Sequence, residues 1–304
     1  MTLKAPVAAR VSGSERLRAF ITLFKLRIFS LLWAESIIGL VLASGLSVDA
    51  PRILLLTAAG FLSTAGANAL NNYFDRDIDA MMKRTSTRPI PSKKVLPREA
   101  LSVGIVMGTL GVCVALFGLS QLSGAMVAAG LVTYAFVYTY LLKRRTSWNI
   151  VIGGASGSFA FLAGWTAVAP VNLEAFLIGM AIFLWTPSHF WALAIKGVEQ
   201  YEGAGVPMLP VVAGVMATSK AIMVNSVALV ASSLSLYAFG YFGYVYLGVA
   251  VILGSLLLFS DYLLMVTNSA AMAWRAYKFT ALYLLILSLA MVADKAAAHV
   301  LAAL

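Results

Sequence analysis

Apolar residues run along this chain in windows of about twenty, separated by short polar segments, with neither the period-two alternation of strands nor the one-sided stripe of a surface helix. Nine such windows stand out, at roughly 27–45, 53–72, 101–119, 123–142, 149–169, 173–195, 219–240, 243–265 and 279–301. Segments of this length cross the hydrocarbon core of a bilayer. Lipid offers no partner to backbone N–H and C=O groups, so each segment must satisfy them internally, as a helix. The pattern predicts an all-α, polytopic bundle of about nine transmembrane helices. A polar N-terminal tail is expected over 1–26 and one transmembrane domain over 27–304. The short alternating segments of a membrane β-barrel do not occur in the pattern.

Composition agrees: the 304 residues are 61% hydrophobic and 11% charged, far from the balance of a soluble globular domain. The net charge of +10 would suit a nucleic-acid partner, but its placement assigns it to topology. With the N-terminus in the cytoplasm, the segments 1–26, 73–100, 143–148, 196–218 and 266–278 share that side. They and the adjoining helix ends then hold 20 of the 22 Lys and Arg residues, Lys4 and Arg10 of the tail among them, leaving only Arg52 and Lys295 opposite. This is the positive-inside pattern, and it predicts N-in, C-out, with the lipid bilayer rather than nucleic acid as partner. The first twenty residues lack the apolar core and small-residue cleavage site of a signal peptide. The short tail fits a bacterial inner membrane better than a mitochondrial one. The single Cys113 lies inside the third window, which excludes a disulfide framework and a cysteine metal site.

That topology puts two unusual loops on one face. The first follows the second window and opens with Asn71-Asn72-Tyr73-Phe74-Asp75-Arg76-Asp77-Ile78-Asp79, which concentrates three of the chain's twelve acidic residues in five positions. The second follows the sixth window and carries Lys196, Glu199, Tyr201 and Glu202 before Val206-Pro207-Met208-Leu209-Pro210. Asn71, Asp75 and Asp79 recur at i, i+4 and i+8, so on a continuing helix they line one face. Two unneutralised carboxylates there would repel. A hard divalent cation, Mg²⁺, resolves the repulsion, because it takes oxygen ligands from one or two carboxylates together with substrate phosphates. Lys83, Arg84 and Arg88 follow directly and are placed to hold phosphate oxygens. Asn71, Asp75 and Asp79 are therefore the candidate metal ligands of a diphosphate site, with diphosphate as the leaving group.

At these residues the chain resembles the UbiA-type intramembrane prenyltransferases, and within them the protohaem IX farnesyltransferases (haem O synthases). The resemblance rests on the aspartate stretch and its continuation Met82-Lys83-Arg84-Thr85-Ser86-Thr87-Arg88-Pro89-Ile90-Pro91. It extends in order to Leu142-Lys143-Arg144-Arg145-Thr146, Trp185-Thr186-Pro187 with His189-Phe190, Val206-Pro207-Met208-Leu209-Pro210 and Lys278-Phe279, over about residues 20–295. The chain departs from the family pattern at Leu26, at Ala160-Phe161 and at Ser188, where prolines are usual. The second loop also lacks the paired aspartates of relatives that prenylate benzoates.

What the resemblance implies is farnesyl transfer from farnesyl diphosphate to a vinyl group of haem B with addition of water, giving haem O. Haem A synthase is the expected partner downstream. Asp75, Asp79 and His189 are the implied catalytic residues. Asn71, Lys83, Arg84, Arg88, Lys143, Lys196 and Tyr201 are the candidate substrate-binding residues. His189, a lone polar residue near a helix end in the membrane, is a functional candidate on physical grounds too, as a haem contact or as base for the quenching water. Tyr73, Phe74, Tyr134, Tyr138 and Trp185 are candidate cavity walls. Lys143, Arg144, Arg145, Arg275 and Lys278 are candidates for the haem propionates. Glu35, in mid-window, is expected to pair with another polar group. The readings that compete with this one are another acceptor, such as a quinone precursor or chlorophyllide, a non-catalytic haem-binding protein, and a transporter. A transporter would place several polar residues at mid-membrane depth, whereas here they crowd at one boundary.

Overall fold

Helices account for every regular element among the described residues, 12–302, of this computed structural model. Lys4 and Arg10 of the tail lie outside them. Among the described residues, eight helices are long and apolar enough to cross a membrane. They are α2 (Leu26–Ala43), α3 (Ala50–Phe74), α5 (Pro97–Gly118), the run Gln121–Leu142, α9 (Leu173–Lys196), α12 (Gly214–Ala238), α13 (Tyr244–Thr267) and α14 (Ala270–Ala302). The remaining expected span, Asn149–Trp165, is shorter and breaks at Gly154 into α7 (Asn149–Gly153) and α8 (Ala155–Trp165).

Part of the expected polar tail is helical. α1 (Gly13–Phe24) starts at a capping box in which the Ser12 hydroxyl accepts from Glu15 N–H and the Glu15 carboxylate accepts from Ser12 N–H, satisfying donors that a helix start leaves open. Its Ala19 and Leu23 are buried beside Ala69 of α3 and Ile90 and Val95 of the following loop. α1 turns into α2 through Lys25, whose φ of 49° lies in the left-handed region.

The spans form two groups. α2, α3, α5, α6 (Gln121–Val132) and α8 pack together, as do α9, α12, α13 and α14, and the groups meet where α8 touches α9 and α14 touches α2. Small residues set the spacing in the first group: a Cβ on Gly66 of α3 would stand 2.4 Å from the Gly108 nitrogen of α5, so these backbones come closer than any side chain permits. Glu35 of α2 finds its partner across the seam between the groups, accepting from the Ser288 hydroxyl of α14 at 3.2 and 3.3 Å.

Two local irregularities shape one end of the bundle. α3 ends at Phe74, Asp75 caps it, and the six-residue α4 (Arg76–Met81) follows. After α6 the fourth span becomes a π-helix over Thr133–Leu142, a geometry rare enough to mark function where it occurs. The two unusual loops meet at this end. Arg84 N–H donates to Gln200 Oε1 at 3.2 Å, and Tyr201 of α10 (Val198–Gly203) packs in one cluster with Ile78 and Met82.

Candidate active site

Asn71 and Asp75 face the π-helix across a zipper of side chains. On α3 they are separated by four residues, and Thr139 and Lys143 repeat that spacing on the fourth span. Asn71 Nδ2 donates to Asp75 Oδ2 at 2.9 Å and to Thr139 Oγ1 at 3.1 Å, and Lys143 Nζ reaches Asp75 Oδ2 at 2.5 Å. The wider winding is what brings Thr139 and Lys143 onto this face: Thr139 Oγ1 donates to Tyr134 O, and Lys143 N–H to Tyr138 O, each five residues back. Tyr134 stacks on Tyr138 with ring centroids 5.9 Å apart, and its hydroxyl donates to Asn68 Oδ1.

Asp79 is buried as deeply as Asp75 and carries its own cation. Arg88 Nη1 donates to Asp79 Oδ1 at 2.9 Å and to Oδ2 at 2.7 Å. The break at Asp75 does not take the carboxylates apart, because Asp75 N–H still donates to Asn71 O and Asp79 N–H to Asp75 O, at 2.9 and 2.7 Å. The expected i, i+4 register of Asn71, Asp75 and Asp79 therefore survives. The repulsion argument for a metal does not: Lys143 and Arg88 neutralise the two carboxylates.

A third cation belongs here that sequence patterning missed. Lys25, at the left-handed corner, donates its Nζ to Asn71 Oδ1 at 2.7 Å. Burial, then the neighbouring Arg88 charge, pull its pKa down to about 7 against the opposing pull of Asp75 and Asp79. Its only sequence signal was its place just ahead of the first apolar window, in the Lys25-Leu26-Arg27 segment of the resemblance.

One atom in this cluster is left over. Asp75 Oδ1 is buried with no hydrogen-bond partner, a costly condition for a carboxylate oxygen. A hard cation supplied with a polyanionic substrate would satisfy it, so the donor set fits Mg²⁺. No group of three or more His, Cys, Asp and Glu residues able to hold a metal occurs among the described residues. Of the three expected ligands only Asp75 has an oxygen without a partner, since Arg88 holds both Asp79 oxygens and Lys25 holds Asn71 Oδ1.

Other candidates separate from this cluster. Lys83 and Arg84 are exposed, and the 82–95 segment is a series of turns, so Arg84 and Arg88 are not stacked on one helix face. Asp77 points away from Asp75 and Asp79, where Arg144 donates to its Oδ1 at 2.5 Å and its Oδ2 at 2.7 Å. That bonding to Arg144 holds the Asp77 carboxyl down at about 2. Phe74 packs on the exposed Phe136 and Tyr140 and lines a second hollow with Asp77, Thr139, Tyr140 and Arg144, apart from the apolar crevice. Lys143 belongs with Asp75 rather than with a separate propionate site. Lys196 lies over the Trp274 ring, 3.5 Å from its centroid.

His189 is built into the second group of helices. Its ring lies between Trp185 and Tyr277, with centroids 4.4 and 4.3 Å away. Nδ1 meets Thr280 Oγ1 at 2.7 Å, and that hydroxyl donates its proton to Tyr277 O. Thr280 Oγ1 can then only accept, so Nδ1 carries the ring proton and Nε2 presents its lone pair. Beside the aspartate cluster, a mostly apolar crevice is lined from α2, α3, α6 and α8, including Phe29, Leu56, Gly60, Met126 and Ala163. Asn68 and Tyr134 line it too, one helical turn from Asn71 and Asn72 and from Tyr138.

Comparison with known proteins places this geometry. The UbiA prenyltransferase family profile matches residues 31–287. Protoheme IX farnesyltransferase 1 of Cenarchaeum symbiosum is 49% identical over 242 residues, 79% of this chain and 81% of its own. Protoheme IX farnesyltransferase of Neorickettsia sennetsu is 41% identical over 273 residues, 89% and 90% of the two chains. A solved structure described for digeranylgeranylglyceryl phosphate synthase shares the fold with a TM-score of 0.79 at 22% identity, covering 92% of this chain and 99% of its own. A UbiA homolog from Archaeoglobus fulgidus bound to DMAPP and Mg²⁺ gives 0.65 at 16% identity, with 90% and 99% covered. With the profile spanning most of its length and relatives of this identity aligned along it, the chain belongs to the UbiA prenyltransferase family, in its protohaem IX farnesyltransferase branch.

Proposed function

We propose that this multi-pass membrane protein transfers the farnesyl group of farnesyl diphosphate to a vinyl group of haem B, with addition of water, to give haem O. The observation that carries the reading is the orphaned Asp75 Oδ1 within a group of side chains that includes Lys25, Arg88 and Lys143. A buried cluster with more cations than anions suits a polyanion brought in with its own metal. In support, the Archaeoglobus fulgidus homolog of the same fold was solved with DMAPP and Mg²⁺, and the curated relatives named above are protohaem IX farnesyltransferases.

When bound, Mg²⁺ would withdraw charge from the diphosphate oxygens and ease its departure. The residues do the rest. Asp75, Asp79 and Asn71 hold the head of the donor, and Arg88, Lys143 and Lys25 stabilise the charge that grows on the leaving diphosphate. The crevice between α2, α3, α6 and α8 takes the farnesyl chain and keeps water from it. The donor C–O bond breaks with its electron pair going to diphosphate. The terminal vinyl carbon of haem bonds to farnesyl C1, water adds to the other vinyl carbon, and its proton leaves. Tyr134, which lines the crevice and stacks on Tyr138, offers its ring to positive charge that develops at the aspartate end. His189 Nε2 contacts the haem, as a ligand to its iron or as acceptor of the proton from water.

The basic residues at the aspartate end support an active site on the cytoplasmic side of the membrane. The test is release of diphosphate from farnesyl diphosphate by the purified protein. Release that requires both Mg²⁺ and haem B is expected; release with a quinone precursor but not with haem would redirect the acceptor assignment.

A further inference from the structure

Arg144 and Asp77 sit beside the carboxylate site without facing it, and their contacts converge on the break between α3 and α4. Ending α3 at Phe74 strands its last carbonyls, as at any helix terminus. Two arginines take them: Arg76 Nη1 donates to Tyr73 O at 2.7 Å and Arg144 Nη2 to Phe74 O at 2.6 Å. The same Arg144 guanidinium forks onto both oxygens of Asp77, at 2.5 and 2.7 Å. One planar group thus grips the end of α3 and the first turn of α4 together, in the paired geometry that guanidinium and carboxylate share.

We infer that Arg144 and Asp77 are positioning residues that fix the rotation of α4 and so aim Asp75 and Asp79 into the site. The inference rests on the reading of those two carboxylates as the head-group ligands. At about 100° per residue, Asp77 lies on the far side of the turn from Asp75 and Asp79, so holding it outward turns the other two inward. α4 has six residues, too few to hold its orientation alone. The pair is exposed, with side chains 38% and 62% accessible, where an ion pair adds little to overall stability. Its effect is on orientation. Lys143, the preceding residue, holds Asp75 from the inner side, so the end of the π-helix grips the break from both faces.

The experiment compares Asp77→Asn, Arg144→Met, Arg144→Lys and the Asp77→Asn/Arg144→Met double variant, each in detergent as the full chain. Hydrogen exchange on the metal-free, substrate-free protein should show the amides of Ile78 and Asp79 opening about tenfold faster in Asp77→Asn and Arg144→Met, corresponding to loss of one net hydrogen bond. Arg144→Lys, which keeps charge but loses the fork, should recover only part of that protection. The Mg²⁺ concentration for half-maximal turnover should rise in parallel with KM for haem unchanged, and the double variant should be no worse than Arg144→Met. Wild-type exchange in Asp77→Asn, or full protection in Arg144→Lys, overturns the clamp. A raised KM for haem in Arg144→Met alone would make Arg144 a substrate contact instead and overturn it too. If Asp75→Asn keeps its activity while exchange responds as expected, the reading of the carboxylates fails and the clamp stands as a structural device.

Discussion

Replacing Lys143 with Met tests most cleanly how the buried Asp75 carboxylate is neutralised. Lys143 is 12% accessible and Asp75 fully buried, so solvent screens their contact little. Methionine fills similar space and leaves a buried carboxylate facing Asn71 as its remaining donor. Breaking a buried pair by removing one partner costs about 3–5 kcal/mol. At about 2 °C per kcal/mol for a chain of this size, the expected fall in Tm is about 6–10 °C. Adding Asp75→Asn should restore most of it, because the amide needs no counter-charge. Magnesium with inorganic diphosphate should also restore it, since a ligand at about 100 times its Kd adds about 2.7 kcal/mol. The assay is thermal unfolding in detergent of the wild type, Lys143→Met and Lys143→Met/Asp75→Asn, with and without magnesium diphosphate. A loss under about 1 kcal/mol, the range of exposed pairs, would refute the buried-pair argument. Equal magnesium diphosphate shifts in Lys143→Met and the double variant would show that Asp75 does not face the metal.

Three further outcomes are expected. Arg88→Ala should weaken the donor by a factor of about 10–150, the loss of one charge-assisted hydrogen bond, while His189→Ala should disturb haem binding and leave donor affinity nearly unchanged; measuring both ligands on both variants checks the division, and the reverse pattern would undo it. Gly60 lines the crevice with its nearest neighbour, Phe29 Cε2, 3.9 Å from where a Cβ would stand. Gly60→Leu should therefore lower kcat/KM for farnesyl diphosphate by about 10–100-fold relative to geranyl diphosphate, and an unchanged ratio would remove this crevice as the chain's path. Reporter fusions should place the 82–95 and 204–208 loops in the cytoplasm; opposite sides would contradict the shared site.

Much of this architecture was legible because lipid allows few solutions. The hydropathy windows land on the long helices to within a few residues, except where the cause is not hydropathy. α14 begins at Ala270 rather than near 279 because Trp274, Arg275 and Lys278, read as loop, occupy its first turns at the membrane boundary. The polar tail hides α1, whose burial depends on two residues, Ala19 and Leu23. In the site, Asn71, Asp75 and Asp79 were readable because helical spacing alone aligns them. Lys143 was readable as a candidate for substrate but not as the partner of Asp75, and Thr139 was not readable at all, because both meet their partners 68 residues away and through a π-helix that the hydropathy pattern does not announce. Lys25 was out of reach for another reason: it enters through a left-handed corner, 46 residues from its partner Asn71.

The pigment made by cells that express this protein together with a supply of farnesyl diphosphate and haem B tests the carboxylate site and the reaction most directly. Extraction and mass analysis should show haem B converted to a species heavier by one farnesyl group and one hydroxyl group with the wild type, and none with Asp75→Asn or Asp79→Asn present at equal level in the membrane. Comparable haem O in both variants would contradict the carboxylate site. An unmodified haem pool with the wild type would contradict the assigned reaction.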